Sequence, residues 1–238
     1  MHQDVATDHW QADLAIQAAL CHVFWTGGFD STFRLAQLLA GGVDVQPIYV
    51  SQRLDIRNNR DQEVAAMATL TDQLRARFSG QATLRDTLHV TQVSRNARIR
   101  KQASRIGYGP SHRERMGAQY VVLCEFAAAY HAPVEIGIEI GGRAERLLRG
   151  LTRGDGARRR IAPEKLLKAG DKPLLMFSDL RFPLLTMTKQ DMLLEAHSGG
   201  YRTVLRETWS CWFPRGGKPC GKCSMCKQRP LLDAAPSD

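Results

Sequence analysis

Two short stretches of the 238-residue chain concentrate residue types that do chemistry. One is "TGGFDST", residues 26–32. The other is "CWFPRGGKPCGKCSMC", which places thiols at Cys211, Cys220, Cys223 and Cys226. In the first, Gly27 and Gly28 allow a backbone path and a close approach that a side chain would block. A helix starting directly after them offers free N–H groups and the positive end of its dipole, which suit an oxyanion. Thr26, Ser31 and Thr32 add hydroxyl donors. Asp30 is the odd member, because a carboxylate repels phosphate. Its uses are Mg2+ binding, bracing of the loop or helix capping. The spacing is neither Walker A, since no Lys follows the glycines, nor GxGxxG.

The second stretch packs four cysteines into sixteen residues, with two CxxC steps that share Cys223. Four thiolates suit tetrahedral Zn2+ in a structural site and leave no open coordination position. An iron–sulfur cluster or a redox pair are the alternatives. A secreted disulfide framework is not laid out this way. Cys21 and Cys124 lie in apolar runs and read as inert core residues.

The elements that must position these groups follow from periodicity. "CHVFWT" is a short, apolar strand that runs straight into the glycines. "STFRLAQLLAGG" is a helix with Phe33, Leu35, Leu38 and Leu39 at core spacing, stopped by Gly41 and Gly42. Further strands are expected in "VQPIYVS", "DTLHVTQV" and "VEIGIEIG". Helices are expected over 11–20, in "NRDQEVAAMATLTDQLRARF", in "RMGAQYVVLCEFAAAYHA" and after the turn in "PLLTMTKQDMLLEAHSGG". Strands alternating with helices predict an α/β fold, an open doubly wound parallel sheet with helices on both faces. In such sheets ligands sit beyond the C-terminal ends of the strands. The chain divides into an α/β domain over 1–208 and a cysteine-rich element over 209–238, whose last residues, "LLDAAPSD" from 231, read as a frayed end.

Charge is uneven. The net charge is +9. Residues 95–115 hold seven Arg/Lys against one Glu, and residues 143–168 hold nine against three acids. Two basic blocks on a near-neutral body suggest an anionic partner: a nucleotide, a nucleic acid or an acidic protein. Residues 143–172 read as a basic insertion or mobile loop, of which 143–168 are expected to be dispensable for folding and engaged with the second substrate or a partner. Arg158, Arg159 and Arg160 are its densest charge. No stretch approaches the roughly 20 apolar residues of a membrane span. The polar, acidic start is unlike a signal peptide, so a cytoplasmic protein is expected.

"TGGFDST" resembles the Ser-Gly-Gly-x-Asp-Ser loop of the PP-loop ATP pyrophosphatases, whose fold is of the adenine nucleotide alpha-hydrolase type. The resemblance implies that Thr26, Gly27, Gly28, Asp30, Ser31 and Thr32 hold the phosphates of ATP, with Mg2+. "FPLLTMTKQDM" is similar to a Pro-Leu…Thr-Lys segment of that superfamily, whose lysine approaches the phosphates. This implies a catalytic set of Asp30, Ser31 and Lys189. With "TWSCW…PCGKCSMCKQR" at the other end, the chain resembles the 7-cyano-7-deazaguanine synthase family. That family has the same four-cysteine zinc spacing and an Arg after the last Cys, here Arg229.

Two departures stand out. The family's Pro-Gly-Arg-Asn stretch reads "YGPSHRERMGAQ" here. Its Tyr-Pro-Asp-Cys-Arg segment, associated with the deazaguanine site, is replaced by "LTRGDGARRRIAPEKLLK". The resemblance implies a carbon–nitrogen ligase that adenylates the carboxylate of 7-carboxy-7-deazaguanine. The acyl group then goes to ammonia, giving amide or nitrile as in queuosine biosynthesis, or to a protein amine. Similar proteins in anti-phage defence operons are thought to do the latter. A homodimer is expected. A PP-loop enzyme acting on tRNA, or a zinc-stabilised binding module with a degenerate nucleotide site, are the rivals. His112 and His131 are candidate acid–base groups, more simply read as structural.

Overall fold

The computed structural model describes residues 20–51, 59–107, 117–170 and 172–233. The helix expected over 11–20 lies almost wholly outside these residues, and His112 lies outside them altogether.

Five parallel strands form the sheet, in the order β3-β2-β1-β4-β7. They are β1 (Cys21–Phe24), β2 (Val45–Val50), β3 (Leu88–Val90), β4 (Val134–Glu135) and β7 (Leu180–Arg181). An antiparallel hairpin, β5 (Thr152–Arg153) and β6 (Arg160–Ile161), forms a separate two-stranded sheet. From β1 the chain first builds outward through β2 and β3, then crosses back to lay β4 on the other side of β1. The strand order therefore reverses between β1 and β4, where open α/β sheets bind ligands.

Successive residues of β1 serve two cores. Val23 joins one apolar cluster and Phe24 the other, as a strand covered on both faces requires. The first face carries α1 (Phe29–Ala40), α2 (Arg60–Arg77), α7 (Lys189–Ser198) and α8 (Arg202–Arg206). Phe33, Leu35, Leu38 and Leu39 of α1 are all buried, as their spacing predicts, and each such burial stabilises by about 1.5–3 kcal/mol. Arg34 of α1 donates through Nε and Nη2 to the two carboxylate oxygens of Glu135 on β4, at 2.6 and 2.9 Å. Burial alone would disfavour the Arg34 charge. The bond to Glu135 outweighs it and holds the guanidinium above its ordinary pKa.

The second face carries α3 (Ala97–Ile106), α4 (Gln119–Ala129), α5 (Arg143–Leu148) and α6 (Pro163–Ala169), with a 3-10 turn over Lys172–Phe177. Here the sequence expectation needs correcting. Residues 143–172 are not a loose loop that folding can spare. Ala144, Leu148, Ile161, Ala162 and Leu166 are buried, and all but Ala162 belong to the second core cluster. Helix and hairpin alternate within a few residues there, so no single period runs long enough to be read. The five buried apolar positions are also outnumbered by six arginines that stay in solvent. The first basic block likewise contains a helix, α3, with Ile99 and Ala103 inside. Strand β7 was not expected at all. The expected strand over 134–141 is regular only at Val134–Glu135.

Cys124 is buried and Cys21 half-buried, and burial pushes both thiols far above the ordinary cysteine range, in keeping with an inert role. His131 is exposed in the turn before β4, at the sheet end opposite the glycine turn. No described helix is long and apolar enough to cross a membrane.

Candidate active site and metal-binding element

The glycine turn leaves β1 at the point where the strand order reverses. Gly27 has φ +68, which favours glycine. A Cβ there would also come within 3.3 Å of Ala66, Met67 and the Glu63 carbonyl on α2. Gly28 then caps α1 without a side-chain hydrogen bond. Thr32 N–H closes the first helical bond onto the Gly28 carbonyl at 3.0 Å. The N–H groups of Phe29, Asp30 and Ser31 precede it and have no acceptor within the helix. Thr26 is exposed and Ser31 half-buried, with the Ser31 hydroxyl 3.4 Å from the Gly28 carbonyl. Thr32 differs from its expected role. It is fully buried, and its hydroxyl accepts from Trp25 Nε1 at 2.9 Å. Its spacing is that of the motif, but helical rotation turns it into the core.

Lys189 begins α7, behind a Thr188–Asp191 capping box that fixes the helix start. Its Nζ donates to Asp30 at 2.5 Å, across 159 residues of sequence, and lies 5.2 Å from the centroid of the Phe29 ring. A second carboxylate, Glu139, stands 3.3 Å from the same Nζ. Burial, then the Asp30 charge, pushes the Glu139 carboxyl up to about 7. Lys189 is itself desolvated, yet Asp30 and then Glu139 outweigh that and hold its pKa above the ordinary lysine value. One cation thus serves two carboxylates at the mouth of the turn.

Sequence reasoning missed Glu139, which it placed inside a regular strand. The available signal was Gly137, two residues earlier. A Cβ on Gly137 would lie 3.3 Å from both Asp30 Cβ and Ser31 N, so the segment after β4 runs hard against the start of α1. Ile140 N–H donates to the Met187 carbonyl at 3.0 Å, which joins the Glu139 and Lys189 segments.

The four cysteines converge: their Sγ atoms lie within 4.8 Å of one another. A tetrahedral ion with metal–sulfur bonds of about 2.3 Å has S···S edges of about 3.8 Å. The Cys220–Cys226 separation is 3.9 Å. Backbone N–H groups approach the sulfurs, Cys220 N to Cys211 Sγ at 3.2 Å and Cys226 N to Cys223 Sγ at 3.4 Å, and such donors favour thiolate. Backbone donors lower the Cys220 thiol to about 6, while burial raises Cys226 to about 12. The donor set fits a metal ion held by all four sulfurs.

This element is bound to the glycine turn. Trp209 N–H donates to the Gly27 carbonyl at 2.9 Å, and Trp209 Nε1 to the Cys211 carbonyl at 2.8 Å. Arg229, on α9 (Ser224–Asp233), donates to the Thr208 and Arg206 carbonyls at the end of α8. Leu232 joins the first core cluster, so the expected frayed end does not begin at residue 231.

Fold and site together define an α/β protein with a candidate oxyanion turn at its strand-order switch and a four-cysteine element braced against it. Residues 162–231 match the family model described as queuosine biosynthesis protein QueC. The matched segment contains Lys189 and all four cysteines but not the glycine turn. It points to the family that the motifs at both ends of the chain resemble. No curated protein matches the chain.

Proposed function

We propose that the protein is an ATP-dependent carbon–nitrogen ligase that adenylates 7-carboxy-7-deazaguanine and passes the acyl group to an amine. The observation that carries this reading is the Asp30–Lys189–Glu139 cluster. Three segments distant in sequence meet there, beside a glycine turn, at the switch point of the sheet. The QueC match supports the same chemistry.

The proposed roles follow from chemical type and place. The free N–H groups of Phe29, Asp30 and Ser31, with the Thr26 and Ser31 hydroxyls, receive phosphate oxygens. A carboxylate oxygen of the substrate attacks the α-phosphorus. The bond to the bridging oxygen breaks, and pyrophosphate leaves with the electron pair. Lys189 opposes the charge that builds on that leaving group. Asp30 and Glu139 would hold Mg2+, which supplies further charge neutralisation when bound. The amine then attacks the acyl carbon, AMP departs with the electron pair, and the amine proton passes to water. With ammonia the product is an amide, which a second ATP can dehydrate to the nitrile. With a protein amine it is a conjugate. The ion at Cys211, Cys220, Cys223 and Cys226 is Zn2+ in a structural role.

The test is pyrophosphate release, with ATP, 7-carboxy-7-deazaguanine and ammonia. Asp30→Ala and Lys189→Ala should each lower the rate by about 10²–10³-fold, the typical loss of a charge-stabilising group, with circular dichroism unchanged. An undiminished rate in both variants, or nucleotide binding with no turnover by the wild type, would overturn the reading.

A further inference from the structure

Beside this site lies a cavity of about 360 Å3 that none of the roles above uses. That volume falls within the ~300–1,000 Å3 range of small-molecule sites. Ile140, Glu145, Arg149, Arg159, Leu185 and Thr186 are among the residues that line it. Two of the three chain segments that build the Lys189 cluster also reach the cavity. Ile140 follows Glu139 directly, and Thr186 stands three residues before Lys189. Ile140 is an exposed apolar side chain, while Leu185 is buried, so the cavity has an apolar wall open to a flat ligand.

Its two guanidinium groups differ. Arg149 donates through Nε and Nη2 to the buried Glu145 carboxylate at 2.8 and 2.9 Å, so its charge is answered. Arg159 has no such partner among the described residues. Its Nε is sealed from solvent and makes no hydrogen bond among the described residues. Nε therefore faces the protein, and it is the rest of the guanidinium fork that Arg159 offers to the cavity. The backbone holds Arg159 in place from two sides. Its N–H donates to the Gly156 carbonyl at 3.1 Å, and its own carbonyl accepts from Phe182 N–H, next to β7, at 2.9 Å. The neighbouring Arg158 and Arg160 are exposed. Of the three consecutive arginines, the middle one faces a different environment.

We propose, resting on the carboxylate-activating reading above, that this cavity is the pocket for the carboxylate substrate. A planar heteroaromatic acid lies with its ring against Ile140 and Leu185, and one carboxylate oxygen accepts from Arg159. A charge-assisted bond of this kind separates an acid from its neutral amide. The pocket therefore favours the substrate over the amide that transfer to ammonia produces, which eases product release.

Calorimetric titration of the whole protein, with a non-hydrolysable ATP analogue present, tests this. The probes are 7-carboxy-7-deazaguanine and its carboxamide. Wild type should bind the acid at least about tenfold more tightly than the amide. Arg159→Ala should bind the two within about twofold of each other. Arg159→Lys, which keeps the charge but not the fork, should fall between and serves if the alanine variant does not fold. Arg158→Glu should leave the preference unchanged. Equal binding of acid and amide by wild type, binding of neither, or an undiminished preference in folded Arg159→Ala or Arg159→Lys would overturn the pocket. Pyrophosphate exchange separates this from the parent reading. Acid-selective binding that needs Arg159 but comes with no exchange retires the activation chemistry and keeps the pocket. Normal exchange and affinity in Arg159→Ala retires the pocket and keeps the chemistry.

Discussion

The Lys189 cluster and the cysteine element are built in opposite ways. The cluster draws Asp30, Glu139 and Lys189 from three segments, the outer two 159 residues apart, and the sheet with its two cores holds them together. The cysteine element draws its four thiols from sixteen consecutive residues and contributes little to either core, Leu232 being buried in the first. The first site is maintained by packing and the second by whatever the sulfurs bind. Yet they share a boundary, because Trp209 joins the Gly27 carbonyl to the segment that carries Cys211. Damage to the cysteine element should therefore reach the glycine turn, while damage to the distant hairpin core should first lower global stability.

The largest effect should come from metal removal. Structural Zn2+ contributes about 10–16 kcal/mol in isolated zinc-finger peptides, so a strong chelator or Cys223→Ala should unfold residues 209–233. Hydrogen exchange should then show lost protection over Cys211–Cys226 and, through Trp209, faster exchange in the glycine turn. Elemental analysis should find one zinc per chain before treatment. Iron, or no change in exchange at the turn, would break the proposed link between the two regions.

Next in size is the contrast inside the basic segment. Leu148 is fully buried, so Leu148→Ala should cost about 2–5 kcal/mol of unfolding free energy by urea titration. Arg158→Glu, on the exposed tip of the same segment, should change stability by no more than about 0.5 kcal/mol. Similar small costs for both would restore the view of this segment as a dispensable loop.

The smallest effect should be a slope with pH. The Glu139 carboxyl is raised from an ordinary value of 4.5 to about 7 by burial and by Asp30. A raised carboxyl favours the folded state while protonated. Its contribution is complete below pH 4.5 and is lost as pH rises toward about 7. Glu139→Gln removes that titration, so its thermal midpoint should fall less between pH 5 and pH 8 than that of wild type. Parallel curves would mean that Glu139 is solvated and only incidentally near Lys189.

How much was legible in the sequence tracks how local each interaction is. Gly27, Gly28 and the helix beginning at Phe29 were readable because turn chemistry and helix caps depend on adjacent residues. Phe33, Leu35, Leu38 and Leu39 were readable because one long helix repeats its period several times. The hairpin at 152–161 was not, because strands of two residues carry no period. Lys189 was found through resemblance to a motif, whereas Glu139, which lies outside the motif, was missed.

The sequence by itself determined the α/β class, the turn at the end of β1 and the grouping of four cysteines, since each depends on residues a few positions apart. Only the tertiary structure decided that Thr32 turns inward to Trp25, and that Glu139 joins Asp30 on Lys189. It also decided that Arg159, alone among three consecutive arginines, is half-buried and lines a cavity with its Nε unpaired. Those outcomes depend on helix rotation, strand order and the closing of a core, which bring together groups that no local spacing connects.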